Sequence, residues 1–450
     1  FSSVVMGAIG ISQFVGHDFF TTELATRILG YAVEPKFPMS YGTHFNPNTF
    51  GKYTAMLSPI LLLTALTWNG KKIANAIFLL AGLLMLLGVF GSSSLGGLVG
   101  IVTASGILLV FFLSRPGVMK KITIASVPVI FALVLTILLF PPLNYRVTFL
   151  FNRLATAMRA DTSAIIDFTF EENTMYVHGE AGEIFSMTVN GLDENWIIVR
   201  DASGNVIQPI ITDVSESEVQ QAKSIYAFDI PGYRIVEIDK FPFFFAYYHA
   251  TSQMPFLLTL DGGRIHGLTL SLELFDVQAE IPAWGFKGRE TWGSSRGYIW
   301  SRSFPLMPAR TIIGSGPDTY INVFPKNDIV SMQRFFDNPI QTVDKAHNLF
   351  IQTWISTGGI SAVALLALFG HYLLTTFLSL IKSKNEPLFS FGLRLGLLCG
   401  ISSFCMSVMA TDSTIGSTGV FFVLLGVGYG LNEYSKQTDD KAQNTAKQHN

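Results

Sequence analysis

Residues 73–113 read IANAIFLLAGLLMLLGVFGSSSLGGLVGIVTASGILLVFFL, a run of 41 residues without one charged side chain. A helix needs about 20 mostly apolar residues to cross the hydrocarbon core of a bilayer. The run is therefore long enough for two spans, with a turn at the serines 92–94. This stretch predicts a helical membrane protein rather than a soluble one.

The composition of the whole 450-residue chain agrees with that prediction. Hydrophobic residues make up 49%, charged residues only 14%, and the mean hydropathy is +0.41. Soluble domains carry about 25% charged residues, so the composition excludes a disordered chain and an ordinary cytosolic enzyme. Cys399 and Cys405 are the only cysteines and lie in an apolar run, which supports neither a disulfide framework nor a cysteine metal site.

Seven stretches are predicted to span the membrane: 53–68, 73–90, 95–113 and 122–140 within a block of four helices (51–140), then 357–381, 391–410 and 415–431 within a block of three (348–432). Lysine and arginine occur in every second break between the spans, and lysine also occurs in the tail 433–450. Such residues favour the cytoplasmic side, so 141–347 is predicted to be extracytoplasmic. Segment 1–50, which starts in an apolar stretch, is predicted to be an outer segment and the end of a preceding span.

The region 141–347 divides into three parts by composition. Residues 141–160 place Arg146, Arg153 and Arg159 in an apolar stretch, which predicts an amphipathic helix on the outer membrane face or, alternatively, against the neighbouring domain. Residues 161–286 contain 19 acidic and 5 basic residues, whereas 287–346 contain 5 and 8. This shift predicts a domain boundary near Phe286, with a basic outer loop at 287–347.

The acidic part 161–286 has the pattern of a β-rich insertion. Leu268 to Leu274 alternates apolar and polar residues, and Asp261-Gly262-Gly263 predicts a hairpin turn before it. A second hairpin is predicted around Ala202-Ser203-Gly204-Asn205. Short strands with such turns favour an antiparallel sandwich. Its role stays open between a spacer or docking surface and a substrate-binding module.

Nucleotide loops of the GxxxxGK[ST] type and the zinc motif HExxH are missing from the sequence. The remaining candidates for chemistry lie in the segment 287–350. A guanidinium makes bidentate hydrogen bonds to phosphate oxygens, and an imidazole can accept a proton from a hydroxyl. The arginines 296, 302 and 310, with His347 just before a predicted span, therefore suit chemistry on a lipid pyrophosphate. A histidine beside a helix start is otherwise more often a structural residue.

The order of several motifs resembles the bacterial O-antigen ligase and O-antigen polymerase superfamily, over most of the chain except 161–286. The matching stretches are Phe45-Asn46-Pro47-Asn48-Thr49-Phe50-Gly51, Arg296-Gly-Tyr-Ile-Trp300, Gly314-Ser-Gly316-Pro-Asp318-Thr-Tyr320, Phe324-Pro325 and His347-Asn348-Leu349. Four helices, a large outer loop and three helices follow in the same order. The resemblance implies a polytopic α-helical enzyme of the bacterial cell membrane that transfers a glycan from an undecaprenyl-pyrophosphate donor to a glycan or lipid-glycan acceptor.

The resemblance also implies roles for individual residues. His347 would be the general base and Arg296 would hold the pyrophosphate, while Arg302, Arg310, Asn348 and Lys52 would contribute to substrate binding. Neither a metal ion, another cofactor nor a nucleic acid is expected. The family's Ser-Arg-Gly at a middle helix corresponds here to Ser92-Ser93-Ser94-Leu95-Gly96-Gly97. Either Lys52, Arg302 or Arg310 replaces that arginine, or donor binding differs.

Two other classes of function remain as alternatives. The chain could transport a lipid-linked glycan or a small solute, although His371 and Arg394 are almost the only ionisable residues within the predicted spans. It could also be a non-catalytic envelope protein that displays the β-rich domain. The sequence distinguishes neither the sugar and acceptor nor a ligase from a polymerase.

Overall fold

The first span begins where the sequence provides a helix cap. In the computed structural model, the side chain of Asn46 accepts hydrogen bonds from the backbone N–H groups of Asn48 and Thr49, and Pro47 is the first helical residue. Proline costs nothing at this position because the first N–H of a helix has no partner within the helix. The helix therefore starts at Pro47, ahead of the predicted start of the span at residue 53.

The structure describes residues 2–33, 39–117, 119–120, 122, 148, 152, 155, 165–179, 182–190, 197–208, 210–212, 222–227, 234–238, 244–248, 256–268, 273–277, 279–336, 338, 341–383 and 386–448. By contacts between residues the chain forms two compact units. The helical unit comprises Phe1–Met158 and His347–Asn450, and the β unit comprises Arg159–Ala346.

In chain order, the helices are α1 Ser2–Phe14, α2 Glu23–Leu29, α3 Pro47–Thr67, α4 Lys72–Ser92, α5 Leu95–Ser114, α6 Trp292–Ser303, α7 Tyr320–Val323, α8 Ile329–Phe336, α9 Leu349–Thr357, α10 Gly359–Lys382, α11 Leu388–Ser407 and α12 Ile415–Gln448. Within the described residues, six helices are long and apolar enough to span a membrane: α3, α4, α5, α10, α11 and the part of α12 from Ile415 to Thr438. The prediction of a polytopic helical protein is confirmed at this level.

The predicted fourth span, 122–140, lies outside the described residues apart from Ile122, so the count of seven stays a prediction. The other six predicted spans correspond to the six helices. The fifth corresponds to α10, which begins after a break at Gly358. The backbone N–H of Gly358 donates to the carbonyls of Thr353 and Trp354, and this break separates α9 from α10. The last span continues as helix through most of the predicted tail.

The helices α3 and α11 form the centre of the helical unit. About 83% of the apolar window of α3 and 78% of that of α11 is buried, against 22–28% for α4, α5, α10 and α12. The two central helices carry polar residues such as Lys52 on α3 and Arg394 on α11. Exposure of these side chains to the lipid hydrocarbon would have a high cost in free energy. Small residues permit close packing: a Cβ on Gly97 of α5 would lie 2.9 Å from the backbone of Gly51 on α3.

Arg394 is fixed by a buried ion pair. Its guanidinium donates to both carboxylate oxygens of Glu386 at 2.9 and 3.0 Å, and it also donates to Ser379, Asn432 and Ser435. These partners come from α10, from α12 and from the segment before α11. His371 contacts Tyr429 through Nδ1 at 3.0 Å. Both side chains are therefore bonded within the helical unit.

The β unit contains two consecutive antiparallel meanders. The strands are β1 Ile165–Glu171, β2 Thr174–Gly179, β3 Gly182–Val189, β4 Ile197–Asp201, β5 Val206–Ile207, β6 Ile210–Thr212, β7 Ala222–Ala227, β8 Arg234–Ile238, β9 Phe244–Tyr248, β10 Phe256–Asp261, β11 Arg264–Leu268 and β12 Leu274–Asp276. One sheet has the order β1 to β5 and the other the order β12 to β6. Each strand therefore pairs with its neighbour in sequence.

Both predicted hairpins are present. Asp261 and Arg264 pair across the Gly262-Gly263 turn, and Val199 on β4 pairs with Ile207 on β5. The single strand predicted from Leu268 to Leu274 is wrong. Leu268 ends β11 and pairs with Leu274 of β12, so the chain reverses between them. Alternating residues continue through that reversal, which is why the pattern resembled one strand.

The core of the β unit includes residues from both sheets and from α8. Phe168, Val177 and Phe185 pack with Leu258 from the second sheet and with Ile329 from α8. The structure thus groups the acidic strands and the basic segment after them in one unit. The sequence-based boundary near Phe286 stays a prediction. The arginines of the predicted amphipathic helix 141–160 lie outside the described residues.

Candidate functional site

Three helices of the helical unit begin with the same unusual backbone. A non-glycine residue with a positive φ angle is followed by a residue whose side chain caps the helix: Phe45 and Asn46 before α3, Ser93 and Ser94 before α5, and His347 and Asn348 before α9. Positive φ costs on the order of 1 kcal/mol or more for such residues, and it is retained where the surroundings fix it. His347, with φ +49°, is thus held in a strained position.

His347 is oriented by a carboxylate. Its Nδ1 lies 2.7 Å from Oδ2 of Asp412, in the loop between α11 and α12. The His347 side chain is 36% exposed and that of Asp412 is 22% exposed. A carboxylate on Nδ1 leaves Nε2 as the nitrogen available for proton transfer. The arrangement can therefore act as a general base whose orientation is fixed by a second residue.

Asn348 ties the two segments of this pair together. Its Oδ1 accepts from the backbone N–H groups of Phe350 and Ile351, and its Nδ2 donates to the Met409 carbonyl at 2.9 Å. The backbone N–H of Leu349 also donates to the Val408 carbonyl at 2.8 Å. Both ends of the Asn348 amide are thus engaged within the protein. It positions His347 against the Asp412 loop, and its role in substrate binding stays a prediction.

Lys52 reaches the same loop from α3. It is 1% exposed, and its Nζ donates to the backbone carbonyl of Asp412. Nearby, Thr411 donates to the Ser407 carbonyl at 2.8 Å, and Ser407 donates to the Gly96 carbonyl of α5 at 2.7 Å. The loop is therefore attached to α3, α5 and α9. This burial gives Lys52 a positioning role, with its positive charge close to the His347–Asp412 pair.

A second histidine, His44, packs beside Lys52. Its ring contacts Tyr53 at 4.9 Å between centroids, and a Cβ on Gly416 would lie 2.9 Å from its Nδ1. Burial, together with the charge of Lys52, lowers the pKa of His44 to about 4. Its Nε2 is buried and has no hydrogen-bond partner among the described residues. His44 is therefore a neutral imidazole next to a buried cation near neutral pH.

Arg296 belongs to the β unit and follows a strained turn. Gly293, Ser294 and Ser295 all have positive φ angles between 63° and 66°, and regular helix begins after them. The Arg296 guanidinium donates to the Gly293 carbonyl. One turn later, Trp300 donates its indole N–H to the Ala346 carbonyl at 2.8 Å. That Arg296 and His347 act in one site stays a prediction, since the two residues belong to separate units.

The other two predicted arginines differ in how much of the side chain is engaged. Arg302 donates to Asp328 at 2.8 Å and to Ser301 and Ser331, and it stacks on the Tyr298 ring at 4.7 Å. These contacts occupy the guanidinium, so Arg302 is not carried into the proposed site. Arg310 donates one bond, to the Leu306 carbonyl at 2.9 Å. No ion pair involves it within the described part of the chain.

The serine stretch 92–94 lies buried directly before α5. All three serines are at most 1% exposed, and Ser94 accepts a hydrogen bond from the backbone N–H of Gly97. At position 97 there is no room for a side chain, because a Cβ would collide with the backbone of Gly51. The cation nearest in sequence to this packing is Lys52, which the sequence had proposed as a replacement for the arginine.

Two residues of this cluster were missed by sequence reasoning. Asp412 lies in the short break 411–413 between two predicted spans, and an aspartate in such a position is itself a signal of function. His44 lies three residues before the Pro47 helix start and carried no separate hypothesis. Among the described residues, no group of three or more His, Cys, Asp or Glu could hold a metal ion.

No protein-family model, curated protein or solved structure matches this chain.

Proposed function

We propose that this chain is a metal-independent glycosyltransferase of the bacterial cell membrane. It transfers a glycan from an undecaprenyl-pyrophosphate donor to a sugar hydroxyl at the outer face, as an O-antigen ligase or a polysaccharide polymerase does. The observation that carries the proposal is the 2.7 Å contact between Nδ1 of His347, just before α9, and Oδ2 of Asp412, in the loop between α11 and α12. A base oriented in this way, at a helix entrance, suits a substrate that is itself anchored in the membrane.

The chemistry assigned to His347 is proton removal from the acceptor. The Nε2 lone pair takes the hydroxyl proton while the acceptor oxygen forms a bond to the anomeric carbon of the donor sugar. The bond between that carbon and the pyrophosphate oxygen breaks, and its electron pair leaves with undecaprenyl pyrophosphate. Asp412 stabilises the imidazolium that forms on His347. Such orientation of a histidine by a carboxylate is the role of the third group in catalytic triads.

The departing pyrophosphate requires positive charge. By its resemblance to the family pattern, Arg296 is assigned to bind the pyrophosphate oxygens, with Arg310 as a further candidate. Lys52 contributes a buried positive charge and holds the Asp412 loop. Preorganised cations of this kind lower the barrier because they need no rearrangement when the charge develops.

The test is transfer by the purified protein in proteoliposomes, supplied with undecaprenyl-pyrophosphate glycan and an acceptor glycan. We expect a new glycosidic linkage with release of undecaprenyl pyrophosphate. The His347→Gln variant should lose about 10²–10⁴ of the rate. His371→Gln is the matched control, because that histidine contacts Tyr429 within the membrane helices. Movement of donor across the vesicle membrane without transfer would instead indicate a transporter.

The outer location of the β unit is part of the proposal and has its own test. Cysteine in place of Ser203, in the exposed β4–β5 turn, should react with a membrane-impermeant thiol reagent in intact cells. Cysteine in place of Gly117 should not. The native Cys399 and Cys405 are buried and give no background. The reverse labelling pattern would place the proposed chemistry on the cytoplasmic side and contradict the function.

A further inference from the structure

The β unit carries an exposed apolar loop whose two isoleucines take no part in the proposed chemistry. A short 3-10 helix, Pro308–Arg310, ends in a bend at Ile312 and Ile313. Ile312 is 72% exposed and Ile313 is 79% exposed. Pro308 and Ala309 are also exposed. Single exposed apolar residues are ordinary, but two adjacent isoleucines at the tip of a loop suggest a surface that is covered in the assembled protein.

The charge around this tip has one sign. No acidic residue occurs from 304 to 317, and Arg310 is the one basic residue there. Its guanidinium donates one hydrogen bond to the Leu306 carbonyl. No carboxylate pairs with Arg310 within the part of the chain that the structure describes. The loop therefore presents apolar side chains together with one cation that has no carboxylate partner among the described residues.

A lipid bilayer is the partner that matches this pattern. Apolar side chains at the boundary between headgroups and acyl chains, with a cation among the phosphates, are typical of segments that lie in a membrane interface. A bilayer surrounds the assembled protein, because six of the described helices are long and apolar enough to cross one. Only 35 residues separate Ile313 from Leu349, where α9 begins. The basic segment 287–346, with 8 basic and 5 acidic residues, adds attraction to anionic headgroups.

We propose that the loop around Ile312 and Ile313 inserts into the outer lipid interface, with Arg310 bound to lipid phosphate groups. The loop would then anchor the β unit at the membrane surface. The insertion does not depend on the glycosyltransferase activity, because it rests on exposure, charge and the presence of a bilayer; only the side of the membrane rests on the proposed function and its topology. A second copy of this chain is the other possible cover, and the experiment separates the two.

The test uses single cysteines labelled with an environment-sensitive fluorophore, in the full chain reconstituted in nanodiscs. Native Cys399 and Cys405 are buried and stay unlabelled. Cysteine replaces Ile313 in the test protein, Val363 on the exposed face of α10 as the membrane control, and Val206 in β5 as the matched control. Val206 is an exposed apolar residue of the β unit beside the polar turn 202–205. Quenching by lipids with a spin label near the headgroup is then measured.

We expect the Ile313 probe to be quenched at least about half as strongly as the Val363 probe, and several-fold more than the Val206 probe. Arg310→Glu should reduce quenching at 313 in nanodiscs with anionic lipid, because it replaces attraction to phosphate by repulsion. Quenching at 313 equal to that at 206 would overturn the proposal. Protection of the 313 probe from aqueous iodide without lipid quenching would also overturn it, and would indicate contact with a second copy.

Discussion

Asp412→Asn is the substitution that tests most sharply whether Asp412 acts through His347. It keeps the size of the side chain and leaves the backbone carbonyl that accepts from Lys52. It replaces a carboxylate at 2.7 Å from Nδ1 by a neutral amide. Hydrogen bonds to a charged group contribute about 1.5–3 kcal/mol and neutral ones about 0.5–1.5 kcal/mol, so the loss is about 1–2 kcal/mol.

That loss corresponds to a rate reduction of roughly 5–30-fold. The side chains of both residues are partly exposed, 36% for His347 and 22% for Asp412, so water weakens the contact and a value of about 10-fold is expected. The assay is kcat/KM for glycan transfer in proteoliposomes. Thermal unfolding measured in parallel should show a loss of stability no larger than about 1–2 kcal/mol, and the variant should stay folded, since the loop keeps its contacts to Lys52 and Asn348.

The double variant decides whether the two residues act together. If Asp412 works only by orienting and stabilising His347, Asp412→Asn should cost nothing further once His347→Gln has removed the imidazole. The double variant should then match His347→Gln alone. A further 10-fold loss in the double variant would refute the reasoning, because Asp412 would then contribute through another group.

Three further outcomes are expected from thermal unfolding in detergent. The pKa of His44 is lower in the folded chain than in the unfolded chain, where it is near 6.5, so the unfolded chain binds more protons between pH 6.5 and 4. Lowering the pH through that window should therefore reduce the free energy of unfolding on the order of 2 kcal/mol, and His44→Phe should remove this dependence. Asn348→Asp should cost about 1–3 kcal/mol, because it loses the amide donor to a backbone carbonyl, whereas Asn46→Asp keeps its cap and should cost less than about 0.5 kcal/mol. Glu386→Gln should cost about 3–5 kcal/mol, because it leaves the Arg394 charge buried without its partner.

The sequence predicts those parts of the fold that are set by local pattern. Apolar runs located the six helices, and the turn residues at Gly262-Gly263 located a hairpin with the correct partners. The cap at Asn46 could also have been read from the Asn-Pro pair, which would have placed the start of α3 correctly. Where alternation continued through a chain reversal, as between Leu268 and Leu274, the same reasoning failed.

The site was predictable only in part. His347 was a candidate because of its place before a span, but its partner Asp412 is 65 residues later in the chain. Such a contact depends on how α9, α11 and α12 pack, and local pattern carries no information on it. The burial of Lys52 likewise follows from the central position of α3. Arg302 looked like a phosphate ligand by residue type, whereas its bond to Asp328 is a tertiary contact.

The most direct test of the central claim is glycan transfer by His347→Gly compared with the wild-type protein. Glycine adopts φ +49° without strain, so the variant should stay folded and melt at a temperature close to that of the wild type. The account predicts transfer from undecaprenyl-pyrophosphate glycan by the wild type and a loss of about 10²–10⁴ in the folded variant. Transfer by the folded variant at the wild-type rate would contradict the role of His347 as the base. Absence of transfer by the folded wild-type protein with every lipid-linked glycan tried would contradict the function itself.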